Sequence, residues 1–194
     1  MRAFAAIVPP TGAHADLEEF LASRREVEPG LRWTPSSLWH VTLAFMAEVP
    51  QDLIWDVVDG IGEVASAAAP IPLRLKGAGV FPSTDEARVA WMDVHPEAVD
   101  GLAALTGLAL ESRRAAHRIG VSPAEGGYRP HLTLARSRRP FEATTWLRVM
   151  QGYDGPLWSA DEVTVFVSHR GEGRGRPHYE PVAACPLGAT ISRE

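Results

Sequence analysis

The chain has 194 residues, of which 45% are hydrophobic and 22% are charged, and its formal net charge is -5. This composition is typical of a folded globular protein and excludes intrinsically disordered, collagen-like and low-complexity classes. The negative charge argues against a protein that coats nucleic acid through its whole surface, but seven arginines against one glutamate between Arg113 and Arg139 suit a discrete anionic ligand.

Alternating and β-branched runs predict the strands, and helical periodicity predicts the helices between them. In chain order we expect a strand at 2–8, a helix at 13–27, a strand at 38–46, a helix at 51–68, strands at 71–80 and 88–94, a helix at 96–118, a strand at 131–136, a helix at 141–150, and strands at 162–169 and 178–184.

A short internal repeat organises these elements. His40-Val-Thr-Leu-Ala-Phe45 recurs as His131-Leu-Thr-Leu-Ala-Arg136, each time in a strand-like setting that is followed by a helix. We therefore expect an α+β fold built as a bilobal duplicated unit, with two mainly antiparallel sheets lining a central cleft and helices on the outside. Residues 1–194 would form a single two-lobed domain with one His-x-Thr motif per lobe, at 40–42 and 131–133.

Residues i and i+2 of a strand face the same side, so each motif presents an imidazole beside a hydroxyl. If the lobes face each other, His40, Thr42, His131 and Thr133 surround one concavity. Two imidazoles can hold opposite protonation states near neutral pH, so one can accept a proton from water while the other protonates a leaving oxygen. In-line displacement at phosphorus places the attacking and leaving oxygens on opposite sides, which is where opposed strands would place the two imidazoles. The hydroxyls can bind the phosphoryl oxygens.

The sequence leaves open which arginine neutralises the phosphoryl charge. Strand parity places Arg129 on the face of His131 and Thr133, and places Arg136 on the opposite face unless the strand bends. The same parity places Phe45 with the core residue Val41, although an aromatic ring there could stack on a nucleobase. A metal site is disfavoured, because each motif offers one ligand and no acidic partner.

The sequence resembles the two-histidine phosphoesterase superfamily, and within it the RNA 2′,3′-cyclic phosphodiesterases, also called 2′-5′ RNA ligases. The resemblance covers nearly the whole chain and is carried by the residues from Arg2 to Ile7, by Arg32-Trp33, by both His-x-Thr motifs, by 77–81 with 89–91, and by Ser168 and Tyr179. The second motif, Arg-Pro-His-Leu-Thr-Leu-Ala-Arg, is its most specific part.

The resemblance implies that His40 and His131 are the catalytic acid and base, and that Thr42, Thr133 and Arg136 bind the phosphate. It favours Arg136 over Arg129, against the parity argument, and implies that Tyr179 lines the cleft.

The resemblance also implies hydrolysis of 2′,3′-cyclic phosphate on RNA ends or nucleotides to 2′-phosphomonoesters, with no cofactor and with 2′-5′ ligation as the possible reverse reaction. Alternatives are a phosphodiesterase acting on 2′-5′ oligoadenylate or an ADP-ribose cyclic phosphate, and a non-catalytic nucleotide-binding module of the same fold.

The chain has one cysteine, Cys185, so no intramolecular disulfide can form, and we expect a cytoplasmic protein. It lacks a run of roughly 18 apolar residues, so we expect no membrane association. We expect a monomer with no obligate protein partner.

Overall fold

The computed structural model describes residues 1–25, 30–169 and 177–188. Within these segments the helices are α1 (Thr11–Ala22), α2 (Ile54–Ser66), α3 (Gly101–Arg118) and α4 (Thr144–Met150). The strands are β1 (Arg2–Ile7), β2 (Arg32–Trp33), β3 (Val41–Met46), β4 (Ile71–Phe81), β5 (Ala87–Pro96), β6 (His131–Phe141), β7 (Trp158–Ala160), β8 (Glu162–His169) and β9 (His178–Pro186).

The strands form two antiparallel halves. One half has the order β7-β4-β5-β6 and the other β3-β1-β8-β9, and β2 pairs with β6 beside the junction. The halves are joined through the pairing of β3 with β6 at Val41 and Leu132. The expected α+β class and antiparallel pairing are confirmed, with the refinement that this junction connects the two expected sheets into one hydrogen-bonded network.

The helices cover the sheet with their apolar faces. α2 and α3 pack against each other and contact β3, β8 and β9, while α4 contacts β4. α1 reaches the same side as α4, because the ring of Phe20 packs 4.7 Å from that of Tyr153 and the Tyr153 hydroxyl donates to Asp16 at 2.6 Å. None of the helices described is long and apolar enough to cross a membrane.

Several boundaries differ from the sequence-based prediction. β2 and β7 are too short to give a periodic signal, and they form because β6 and β4 offer them partners. β6 continues through a polar stretch to Phe141, which pairs with Ala87 of β5. The predicted helix at 96–118 begins only at Gly101, because Pro96 still pairs with Leu73. The predicted end of the first helix lies partly outside the described residues.

A close approach between β4 and β5 makes Gly79 essential to the packing beside the junction. Gly79 pairs with Trp91, and a Cβ on Gly79 would overlap the indole ring. We expect Gly79→Ala to lower the free energy of unfolding by about 1–3 kcal/mol, because the ring must leave its packed position.

Denaturant unfolding measures this effect, and Gly107→Ala on α3 is the matched control. Nothing lies within 4 Å of a Cβ at Gly107, so this change should raise the stability by about 0.5–1 kcal/mol through helix propensity. Equal stability changes in the two variants would contradict the packing argument.

Candidate active site

A cavity of about 360 Å³ lies where the two halves of the sheet meet. β3 and β6 pair at Val41 and Leu132 and then take different neighbours. Beyond this pair, β6 is flanked by β2, and the end of β3 bridges Pro123. The cavity is lined by residues from both halves, namely Phe4, Thr34, Leu38, His40, Thr42, Phe45, His131, Thr133, Arg136, Ser168 and Tyr179.

The structure brings both His-x-Thr motifs to this one cavity. His40 directly precedes β3 and His131 opens β6, and the hydroxyl residues Thr42 and Thr133 follow two positions later on the same faces. Val41 and Leu132, between each pair, are fully buried. The two motifs are therefore juxtaposed through the single pair that joins the halves.

Both imidazoles are held in the same way. His40 Nδ1 lies 2.8 Å from the carbonyl oxygen of Leu38, and His131 Nδ1 lies 2.8 Å from that of Arg129. A carbonyl oxygen only accepts hydrogen bonds, so Nδ1 carries the proton in each ring. In the neutral form this leaves each Nε2 as an unprotonated base, and in the charged form as an acid.

The motif in β3 contains a β-bulge that decides where Phe45 lies. Ala6 of β1 pairs with Thr42 and Ala5 pairs with Ala44, so Leu43 has no partner on β1. The extra residue reverses the alternation, and Leu43 and Ala44 are both fully buried. Phe45 consequently lies on the cavity side with His40 and Thr42. The prediction that Phe45 faces the core was wrong, because it assumed a regular strand.

The motif in β6 contains the same bulge. Trp91 of β5 pairs with Thr133 and Ala90 pairs with Ala135, so Leu134 is the extra residue. Leu134 and Ala135 are fully buried, and Arg136 emerges on the face of His131 and lines the cavity. Arg136 and Phe45 therefore occupy equivalent positions in the two motifs. The Leu-Ala doublet, which interrupts the alternation in both copies, is the sequence signal of this bulge.

Arg129 lies on the side of the sheet that parity predicts, but it is not among the residues that line the cavity. Its side chain contacts Trp91 and Asp93, which lie directly opposite Thr133 and His131 on β5. Its guanidinium carbon lies 4.6 Å from the centroid of the Trp91 ring, and its nitrogen lies 3.4 Å from the Asp93 carboxylate, with 58% of the side chain exposed. Arg129 contributes to the site the backbone carbonyl that orients His131 and a positive charge that acts on the same ring.

Aromatic rings flank both imidazoles. The His40 ring lies 4.7 Å from Phe4 and 5.4 Å, edge to face, from Tyr179. The His131 ring lies 5.2 Å from Phe81 and 5.8 Å from Trp91. Tyr179 thus lies in the cavity, as the resemblance implied, and burial raises its pKa despite the nearby positive charge of Arg136. The rings restrict the orientation of each imidazole and exclude water from its faces.

Burial and positive charge act together on the two histidines. Burial is the largest cause that lowers the pKa of His40 below 6.5, and the charges of His131 and Arg136 lower it further, while the Leu38 carbonyl opposes them. Burial also lowers the pKa of His131, with Arg136 and Arg129 acting in the same direction against the Arg129 carbonyl and Asp93. An anionic group between the rings would oppose these effects and favour protonation of one of them.

Four lining residues were not identified as site residues from the sequence. Phe4 was part of a predicted buried strand, and Ser168, Thr34 and Leu38 carried no motif of their own. Phe4 pairs with Phe45, and Ser168 pairs with Tyr179, so register places both beside residues that were identified.

Among the described residues, no three His, Cys, Asp or Glu side chains cluster closely enough to hold a metal ion.

Known proteins are similar to this chain in sequence and in architecture. A family model for LigT-like phosphoesterases matches residues 8–91. An RNA 2′,3′-cyclic phosphodiesterase from Geobacillus stearothermophilus is 28% identical over 187 residues, which are 95% of this chain and 56% of that protein. An RNA 2′,3′-cyclic phosphodiesterase from Thermus thermophilus is 29% identical over 142 residues, which are 72% of this chain and 70% of that protein. The chain thus spans little more than half the length of the Geobacillus relative.

The fold agrees with these matches over nearly the whole chain. The crystal structure of E. coli LigT in apo form superposes with a TM-score of 0.75 and 25% identity, covering 97% of this chain and 98% of that chain. The family model, the relatives and the superposition agree, and the chain is similar in sequence and fold to the LigT-like phosphoesterases.

Proposed function

We propose that this protein hydrolyses the 2′,3′-cyclic phosphate at an RNA end or on a nucleotide to a 2′-phosphomonoester. The observation that carries the proposal is the pair of imidazoles that line one cavity, each with Nδ1 bound to a backbone carbonyl. Relatives in two bacteria bear the name of this activity.

The reaction follows from the protonation states of the two rings. One neutral imidazole accepts a proton from water through Nε2 while the water oxygen forms a bond to phosphorus. The bond from phosphorus to the 3′-oxygen breaks, and the second imidazole, protonated, gives its proton to that oxygen. The two rings exchange protonation states in the process, and proton exchange with solvent restores them.

The remaining polar residues stabilise charge. Thr42 and Thr133 donate hydrogen bonds to the non-bridging oxygens, and the guanidinium of Arg136 offsets their negative charge. Phe45 and Tyr179 offer apolar faces on which a nucleobase can stack. The same step with a 5′-hydroxyl in the place of water would join that hydroxyl to phosphorus as a 2′-5′ linkage, with the 3′-oxygen again leaving.

A direct assay tests the proposed function. The protein is incubated with a nucleoside 2′,3′-cyclic phosphate, and the product is identified by phosphorus NMR. We expect the 2′-phosphate. The 3′-phosphate as product would contradict the assignment of the leaving oxygen. Binding without turnover would favour the non-catalytic module, and turnover of 2′-5′ oligoadenylate or an ADP-ribose cyclic phosphate alone would favour the other phosphodiesterase.

We expect the activity to be independent of metal ions, because the chemistry above uses imidazole protons and arginine charge. Activity measured after prolonged incubation with EDTA and desalting should equal that of the untreated protein. Loss of activity, with recovery on addition of zinc or manganese, would contradict acid/base catalysis by the two histidines.

A further inference from the structure

A second arginine lies beside Arg136 at the edge of the cavity. Arg32 of β2 pairs directly with Arg136 of β6, and directly opposed residues in an antiparallel pair project to the same face. Thr34, two residues further along, donates its backbone N–H to the Leu134 carbonyl at 2.7 Å and lines the cavity. Register and strand alternation therefore both place Arg32 on the cavity side.

Two arginines in this position repel each other. Like charges directly opposite on adjacent strands destabilise a sheet. In the segments that the structure describes, no carboxylate oxygen lies within 4.0 Å of either guanidinium, whereas Arg25, Arg74, Arg114 and Arg129 all have such partners. A ligand with two adjacent negative groups would offset the repulsion.

We infer that Arg32 binds the phosphate on the 5′ side of the terminal nucleoside, next to the cyclic phosphate of an RNA chain. Arg136 lines the cavity with both histidines, but Arg32 is exposed at its rim and is not among the lining residues. The two guanidiniums thus suit two successive phosphates, one at the reacting position and one on the chain that leads away from it. This inference rests on the proposed function. If Arg32 binds this phosphate, RNA ends and 5′-phosphorylated nucleotides are the preferred substrates.

Binding of product-like ligands tests the inference without requiring turnover. Calorimetry compares a nucleoside 2′-phosphate with the 2′,5′-bisphosphate of the same nucleoside. We expect the wild-type protein to bind the bisphosphate about tenfold more tightly, and Arg32→Gln to remove this advantage while leaving affinity for the 2′-phosphate unchanged. Arg32→Lys should retain part of the advantage, because it keeps the charge without the planar fork.

Arg148→Gln is the matched control, since Arg148 is an exposed arginine on α4 that does not line the cavity. It removes the same charge and should retain the preference for the bisphosphate. With an oligoribonucleotide that ends in a 2′-phosphate, the slope of log affinity against log salt should fall by about 0.7 in Arg32→Gln and stay unchanged in the control.

Three results would overturn the inference. The first is that Arg32→Gln keeps the wild-type preference for the bisphosphate. The second is that Arg32→Gln loses the same affinity for both ligands, which would place Arg32 on the reacting phosphate. The third is that Arg148→Gln loses the preference for the bisphosphate as Arg32→Gln does, which would mean that the effect comes from overall charge. Turnover of the corresponding cyclic phosphates by the wild-type protein is assayed separately. Failure of that assay would contradict the proposed function and leave the binding result to decide the role of Arg32.

Discussion

Replacing either histidine by alanine should reduce kcat by on the order of 100–10,000-fold, the usual contribution of one proton-transfer group. His40→Ala and His131→Ala each remove one of the two imidazoles in the cavity, and the double variant should lose less than the product of the single losses, because the two groups act as a unit. Steady-state kinetics on a nucleoside 2′,3′-cyclic phosphate measure all three variants.

The leaving group distinguishes the acid from the base. A phosphodiester with an activated leaving group needs no proton on the departing oxygen, so it should restore much of the rate in the variant that lacks the acid and little in the variant that lacks the base. His14→Ala is a control, because His14 is a histidine on α1 that does not line the cavity. Wild-type rates in both active-site variants would contradict the mechanism.

Removing the charge of Arg136 should affect both the rate and the pH dependence. We expect Arg136→Gln to lower kcat/KM by about 100-fold or more, since it removes the charged donor beside the phosphoryl group. Arg136 also lowers the pKa of both His40 and His131, so its loss should raise both values. Proton NMR titration of the assigned imidazole signals in the free protein measures these shifts directly.

The pH profile of kcat/KM follows from the same shifts. The base is active above its pKa and the acid below its pKa, so lowering both values moves both limbs of the bell to lower pH. The maximum for the wild-type protein should therefore lie below about pH 6.5, the ordinary pKa of histidine. In Arg136→Gln both limbs should move to higher pH, and in Arg136→Lys, which keeps the charge, they should stay near their wild-type positions.

Arg129 is the informative comparison for this prediction. The sequence parity argument favoured Arg129, and the structure places its guanidinium on Trp91 and Asp93. Arg129→Gln should leave most of kcat/KM intact, since the backbone carbonyl that orients His131 remains. Loss of activity in Arg129→Gln together with full activity in Arg136→Gln would reverse the roles inferred for the two arginines.

The placement of each histidine beside its threonine could be predicted from the sequence, because it depends only on local chain geometry. Alternation along a strand sets His40 with Thr42 and His131 with Thr133, whatever lies on either side. The repeat of the motif then predicted that the two pairs share one cavity, and the structure has them in one cavity. The α+β class followed from the interleaving of the two periodicities, which is also a local property.

The positions of Phe45 and Arg136 could not be predicted from the sequence in the same way. A bulge arises when a strand pairs with a neighbour of different length over the same distance, so it depends on β1 and β5, which are remote in the sequence. One extra residue in each motif reverses the face of the sheet on which the later side chains of that strand lie. The parity argument therefore placed Phe45 and Arg136 on the wrong face.

The sequence by itself determined which chemical groups the repeated strand motif presents: two imidazoles, two hydroxyls and an arginine. Only the tertiary structure decided which arginine shares the cavity with the histidines, that Phe45 lines it, and that Arg32 lies beside Arg136. The physical reason is that residue identity and alternation are local, whereas register and bulges are set by hydrogen bonding between strands distant along the chain.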